Sequence, residues 1–123
     1  MTIQEAITRL DGLNHNTYTD TEKRSWLTIL DQRLRREVQD ICEDAPGGPL
    51  PKYTPDTPGD TVLLAEPPYD DMYLWYMVSL MDFHNGEIGR YNNSSKLFQN
   101  IWDEHQRFYL RSHRVKSQGW RFF

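Results

Sequence analysis

One cysteine, Cys42, stands in 123 residues. Its isolation excludes an internal disulfide and any zinc site built on paired cysteines, and it reads as a small buried apolar residue on a helix. A glycine-rich phosphate loop, a nucleophile elbow and an internal repeat are all missing. No apolar run approaches the roughly 20 residues that cross a bilayer, so no membrane association is expected. Met1 to Glu5 lack the basic-then-apolar layout of a signal peptide, which points to synthesis in the cytosol. Hydrophobic residues make up only 37% of the chain, yet aromatics reach 13%. A single core resting on a few large rings is the arrangement this composition favours.

Acid is missing from one end. All 18 acidic residues precede Arg107, as do nine of the 14 basic ones, so residues 1–106 carry nine minus eighteen, or −9. The following 17 residues hold Arg107, Arg111, Arg114, Lys116 and Arg121 without an acid, for +5. An acidic body repels phosphate and disfavours wrapping nucleic acid. A short basic segment suits either an acidic protein groove or a phosphate backbone, or it simply balances the acidic body in solvent.

What is present is helical. The stretch from Pro67 to Met81 opens with two prolines, which the first turn of a helix accepts, followed by Asp70 and Asp71 at the positive end of the dipole. Met72, Tyr73, Tyr76, Met77 and Leu80 fall on one face; Leu74, Trp75, Val78 and Met81 fill most of the other. A helix apolar nearly all round is a buried one, and this segment is expected to be the central helix.

Before it, Ile3, Ala6, Ile7 and Leu10 share a face of a short helix over residues 3–10. Thr19 and Glu22 form a capping box that opens a second helix, running to about Cys42. Trp26, Leu27, Leu30, Leu34, Val38 and Ile41 make its apolar stripe; Asp31, Arg35, Arg36, Gln39 and Asp40 fall on the wet side. Arg33, Arg35 and Arg36 form a basic cluster, either a contact for DNA or a solvated face with pairs such as Arg36–Asp40. Residues 44–66 hold five of the seven prolines and read as a long loop with an extended apolar piece at residues 61–65. Such a loop either covers the core or reaches a neighbouring subunit.

After the central helix, Gly86 and Gly89 mark a sharp turn, and Asn92 or Asn93 is expected to cap the last helix. Leu97, Phe98, Ile101, Trp102, His105, Phe108 and Tyr109 repeat at helical spacing and should lie antiparallel on the central helix. The core is expected to contain Trp26, Leu30, Leu34, Tyr73, Tyr76, Met77, Leu80, Phe98, Ile101 and Trp102. The fold class is therefore mostly α: a bundle of about four helices over residues 1–113, with a flexible arm over residues 114–123. Trp120, Phe122 and Phe123 at the tip of that arm would dock either on the chain's own core or on another subunit.

The four histidines do not build a site. His105 and His113 lie two turns apart, roughly 12 Å, too far for one metal. No carboxylate stands three residues before a histidine, as di-iron bundles require; Met81 and Trp102 occupy those positions. His105 reads as a core histidine with a hydrogen-bond partner. Neither catalytic residues, nor a metal, nor a cofactor are expected.

Two segments carry a resemblance: Leu63-Leu64-Ala65-Glu66-Pro67-Pro68-Tyr69-Asp70-Asp71-Met72-Tyr73, and Asn85-Gly86-Glu87-Ile88-Gly89-Arg90-Tyr91-Asn92-Asn93. With the capped helix before them and Phe108-Tyr109-Leu110-Arg111-Ser112-His113 after, the chain resembles the head–tail connector (neck adaptor, or head-completion) family of long-tailed bacteriophages and prophages. The resemblance implies a structural virion protein, made in the host cytoplasm and located in the neck. Its partners would be the portal protein, the next neck or tail-completion protein and further copies of itself in a ring, typically a dodecamer in the virion, with the subunit monomeric in solution before assembly. Such a ring extends the channel through which DNA slides without specific binding. The implied portal or subunit contacts are Arg114, Lys116, Trp120, Arg121, Phe122 and Phe123. The competing reading is a small helical nucleic-acid-binding or regulatory protein that uses Arg33, Arg35, Arg36 and the arm.

Overall fold

A computed structural model describes residues 1–116. It contains four α-helices: α1 (Ile3–Leu13), α2 (Asp20–Leu34), α3 (Asp71–His84) and α4 (Ile88–Ser112). Among the described residues no strand exceeds an isolated bridge. Thr2 and Glu5 close a capping box on α1, and Thr19 and Glu22 close the expected one on α2. Each satisfies helix-start N–H groups that would otherwise go unpaired. α2 continues into a π-helical turn, Arg35–Gln39, and Lys23 reaches back to Asp11 of α1 at 2.7 Å.

The core lies where the apolar faces of α1 and α2 meet α3. Trp26, Leu30, Leu34, Tyr73, Met77, Phe98 and Trp102 are buried as expected; Tyr76, Leu80 and Ile101 are half-buried at its edge. α3 is the buried hub, although Trp75 is only partly buried. α4 runs antiparallel along it. Tyr69 meets His105 and Phe108, Tyr76 meets Phe98, and Phe83 meets Tyr91, so contacts ascend one helix as they descend the other.

Two helix starts differ from the sequence expectation. Pro67 and Pro68 are joined by a cis bond in a turn that Tyr69 N–H closes on the Glu66 carbonyl, and α3 begins only at Asp71. α4 begins at Ile88, which leaves Asn92 and Asn93 inside the helix rather than at its cap. The reason is Gly86. At φ +73° it ends α3 in a Schellman motif, with Gly86 N–H donating to Phe83 O and Glu87 N–H to Asp82 O. The chain has then reversed within three residues and no further linker is needed.

Residues 44–66 cover the core of their own chain. Tyr53, Leu63 and Ala65 are buried. Residues 59–63 lie along the N-terminus: Ile3 N–H donates to Thr61 O, Gln4 N–H to Gly59 O, and Leu63 N–H to Met1 O. Gly59 suits the approach, because a Cβ there would stand 3.3 Å from Gln4 Cβ.

Candidate functional site

The largest departure from the sequence reading is the outer face of α2. Asp31 is fully buried rather than wet. Tyr53 Oη donates to its Oδ2 at 2.5 Å, Leu64 N–H donates to the same oxygen at 3.2 Å, and Tyr73 Oη donates to Oδ1 at 2.6 Å. Tyr73 Oη in turn accepts from Ala65 N–H at 2.7 Å. One carboxylate thus joins α2, α3 and two points of the 44–66 segment. Burial pushes its pKa up, against the opposing pull of the donors Tyr53, Tyr73 and Leu64. Both tyrosine hydroxyls are pushed up by burial and by the neighbouring Asp31 charge.

Other residues of α2, Gln32 next to Asp31 and Thr28 and Arg24 one and two turns before it, grip the same segment by its backbone. Arg24 Nη1 donates to Thr54 O and Thr57 O, and Gln32 Nε2 donates to Pro51 O. Thr28 Oγ1 accepts from Tyr53 N–H. Arg35 is buried, not exposed. It pairs with Asp40 at 2.8 Å and donates to the carbonyls of Gly47, Gly48 and Pro49. Gln39 is buried as well. Periodicity made these residues a wet face because they are polar; the segment that covers them lies up to 33 residues away in the chain. It is held as a strap across α2.

The expected basic cluster is therefore divided. Arg35 holds the strap. Arg33 pairs with Glu37 at 2.9 Å and lies 4.4 Å over the Trp102 ring. Arg36 alone remains fully at the surface, and the expected Arg36–Asp40 pair is replaced by Arg35–Asp40.

The start of the arm is pinned, where the sequence reading began a flexible arm at residue 114. Glu43 N–H donates to Arg114 O, Lys116 N–H donates to Ile41 O, and Cys42 bridges Val115 in antiparallel register. His113 stacks on Tyr109 at 3.8 Å and points Nε2 at Asp44, 3.6 Å away. The side chains of Arg114 and Lys116 are exposed, and Arg114 lies 3.5 Å from Glu43. Trp120, Arg121, Phe122 and Phe123 lie outside the described residues. Cys42 is buried as expected, and burial raises its thiol pKa.

At the opposite end of the bundle, Leu13, Trp75 and Val78 wall a groove of about 290 Å³. Its polar side holds Asn14, Arg90, Asn93 and a pair in which Ser94 Oγ donates to Asp82 Oδ2 at 2.9 Å. Nearby Phe83 and Ile88, with Leu13, are 57%, 59% and 56% exposed, a concentration of apolar surface around the α3–α4 turn.

His105 is buried between Tyr69 and Tyr109, but the partner expected for it is missing: Nδ1 is buried without a hydrogen bond. Burial lowers its pKa from the ordinary 6.5, opposed by the Glu66 charge. The unfolded chain therefore takes up this proton first, so stability is retained above about pH 6.5 and falls on acidification below it. Urea unfolding between pH 7.5 and 5.5 should lose less stability in His105→Phe than in the unchanged protein. Equal losses would contradict this assignment.

No three His, Cys, Asp or Glu side chains gather in metal-binding geometry among the described residues, and no described helix is long and apolar enough to cross a membrane. No family model, curated protein or solved structure matches the chain.

Proposed function

We propose that the protein is a structural adaptor of the phage neck, binding below the portal as a ring, extending the DNA channel and docking the next neck or tail protein. The observation that carries this reading is the two-ended character of the bundle. Apolar side chains crowd the α3–α4 turn, while the chain leaves the other end through a basic segment beside Cys42. Opposite ends of unlike chemistry suit a part that contacts one neighbour above and another below. An acidic body suits a channel wall past which DNA must slide without sticking. The strap supports the reading indirectly: it is engaged on its own core, which leaves the two ends as contact surfaces.

The nucleic-acid reading has less behind it. Of its three helix arginines, Arg35 is buried under carbonyls and Arg33 lies over Trp102.

Electron microscopy of the protein mixed with the portal protein of the same virus tests the proposal. Added ring density against the portal is expected. Portal particles unchanged at saturating protein would contradict it.

A further inference from the structure

The α3–α4 reversal carries a reactive pair of residues. Asn85 stands directly before Gly86, and both are exposed. A side-chain amide one residue before a glycine is open to attack by the glycine's own backbone nitrogen, because no β-carbon shields that nitrogen. Nothing nearby hinders the approach: a Cβ added at Gly86 would meet no atom within 4 Å. Asn85 also lines an open polar pocket of about 390 Å³, through which water reaches the amide. The other asparagines lack this combination. Asn14, Asn16, Asn92, Asn93 and Asn100 each precede a residue with a β-carbon, and the last three lie within α4.

The same turn restrains the reaction. Gly86 N–H donates to Phe83 O at 3.1 Å, and Glu87 N–H donates to Asp82 O at 2.9 Å. The attacking nitrogen is thus already engaged. Asn85 stands at ψ 0°, which turns that nitrogen away from the Asn85 side chain. Ring closure needs the nitrogen eclipsed with Asn85 Cβ, so ψ must rotate and both bonds of the reversal must break. Local openings cost anything from near zero up to the global unfolding free energy, and two hydrogen bonds at an exposed turn place this one toward the low end.

We propose that Asn85-Gly86 is a self-modification site, a deamidation site gated by the α3–α4 turn. In the opened turn the Gly86 nitrogen attacks Asn85 Cγ. Its proton passes to the departing amide nitrogen, which leaves as ammonia, and a cyclic imide remains. One water, the only co-reactant, then opens the imide. Cleavage of the bond from nitrogen to Cγ gives an aspartate in the ordinary linkage. Cleavage of the bond from nitrogen to the main-chain carbonyl carbon gives an isoaspartate, with the chain routed through Cβ and Cγ. Either product sets a carboxylate at the negative end of α3. The isoaspartate also lengthens the main chain by one carbon, so the two reversal bonds cannot re-form in register. The change is one-way, and it puts charge between the exposed Phe83 and Ile88. Its bearing on docking rests on the adaptor reading, while the chemistry does not.

Peptide mapping by mass spectrometry, with isoaspartate detection, tests it on the full-length protein held at mildly alkaline pH with and without denaturing urea. In urea, Asn85 should react ahead of the other five asparagines. In the folded protein the same site should react at least tenfold more slowly, in proportion to the time the turn spends open. Glu87→Pro removes the donor to Asp82 O and leaves the reacting pair intact. It should speed the reaction of the folded protein severalfold and leave the rate in urea unchanged, with circular dichroism showing the helices retained. Another asparagine reacting first in urea would overturn the site. Equal rates in the folded and unfolded protein, or a folded Glu87→Pro variant no faster than the unchanged protein, would overturn the gate. Should that variant lose its fold, the ratio of rates in the unchanged protein decides alone. No step of the test involves the portal, so its failure leaves the adaptor reading to its own experiment.

Discussion

Asp31→Ala should cost about 3–5 kcal/mol of stability, measured by urea unfolding at pH 7. The change removes one acceptor and orphans three donors: Tyr53 Oη, Tyr73 Oη and Leu64 N–H. A buried donor left without a partner costs about 1–3 kcal/mol, and hydrogen bonds to a charged group contribute about 1.5–3 kcal/mol each. The sum is less than additive, because the three bonds share one acceptor. Tyr73→Phe should cost less, and adding it to Asp31→Ala should add little, since the two share one network. A loss under about 1 kcal/mol would mean that burying the carboxylate costs as much as its three bonds return. The pH dependence of this anchor opposes that of His105. A carboxylate with a raised pKa contributes most below its ordinary value of 3.8 and loses that contribution as pH rises through the raised one.

Trp102→Ala should also cost about 3–5 kcal/mol. Its side chain is only 3% exposed, lies beside Phe98 and carries Arg33 on its face. The cation–π contact supplies only about 0.5–1 kcal/mol of that, so Arg33→Ala should be mild by comparison. Trp75→Ala makes the instructive contrast. The apolar run of α3 marks Trp75 as buried, yet it is only partly buried, on the groove. Its replacement should cost about 1–2 kcal/mol, in proportion to the area it buries. Equal losses at Trp75 and Trp102 would mean that the groove is closed in solution.

The contrast shows what periodicity conveys. It reports which residues are apolar and in what rhythm, and local chemistry reports where helices begin. Thr19 with Glu22, the reversal at Gly86, the buried α3 and the antiparallel α4 were all legible on those grounds. Asp31 and Arg35 were not. Both are polar residues on a helix, and their burial depends on a strap whose position is set by tertiary contacts. One sequence-level signal was available: a carboxylate one turn before Arg35, followed by a proline-rich loop carrying Tyr53, offers donors and carbonyls in need of partners. The start of α4 was misplaced for the converse reason. Asn92 and Asn93 are good caps, but the Schellman turn at Gly86 had already satisfied the chain reversal. The groove at Asp82 was invisible because its walls come from three helices.

The strap is bonded to its own bundle, and the proposed assembly contacts fall at the two ends. Hydrogen exchange on the free and the portal-bound protein tests that division residue by residue. The amides of Leu63 and Ala65, bonded to Met1 O and to Tyr73 Oη, should already be slow in the free protein. New protection on assembly should appear around the α3–α4 turn and beyond Arg111. Fast exchange at Leu63 and Ala65 in the free protein, slowing only when the portal is bound, would show instead that the strap is itself the assembly element.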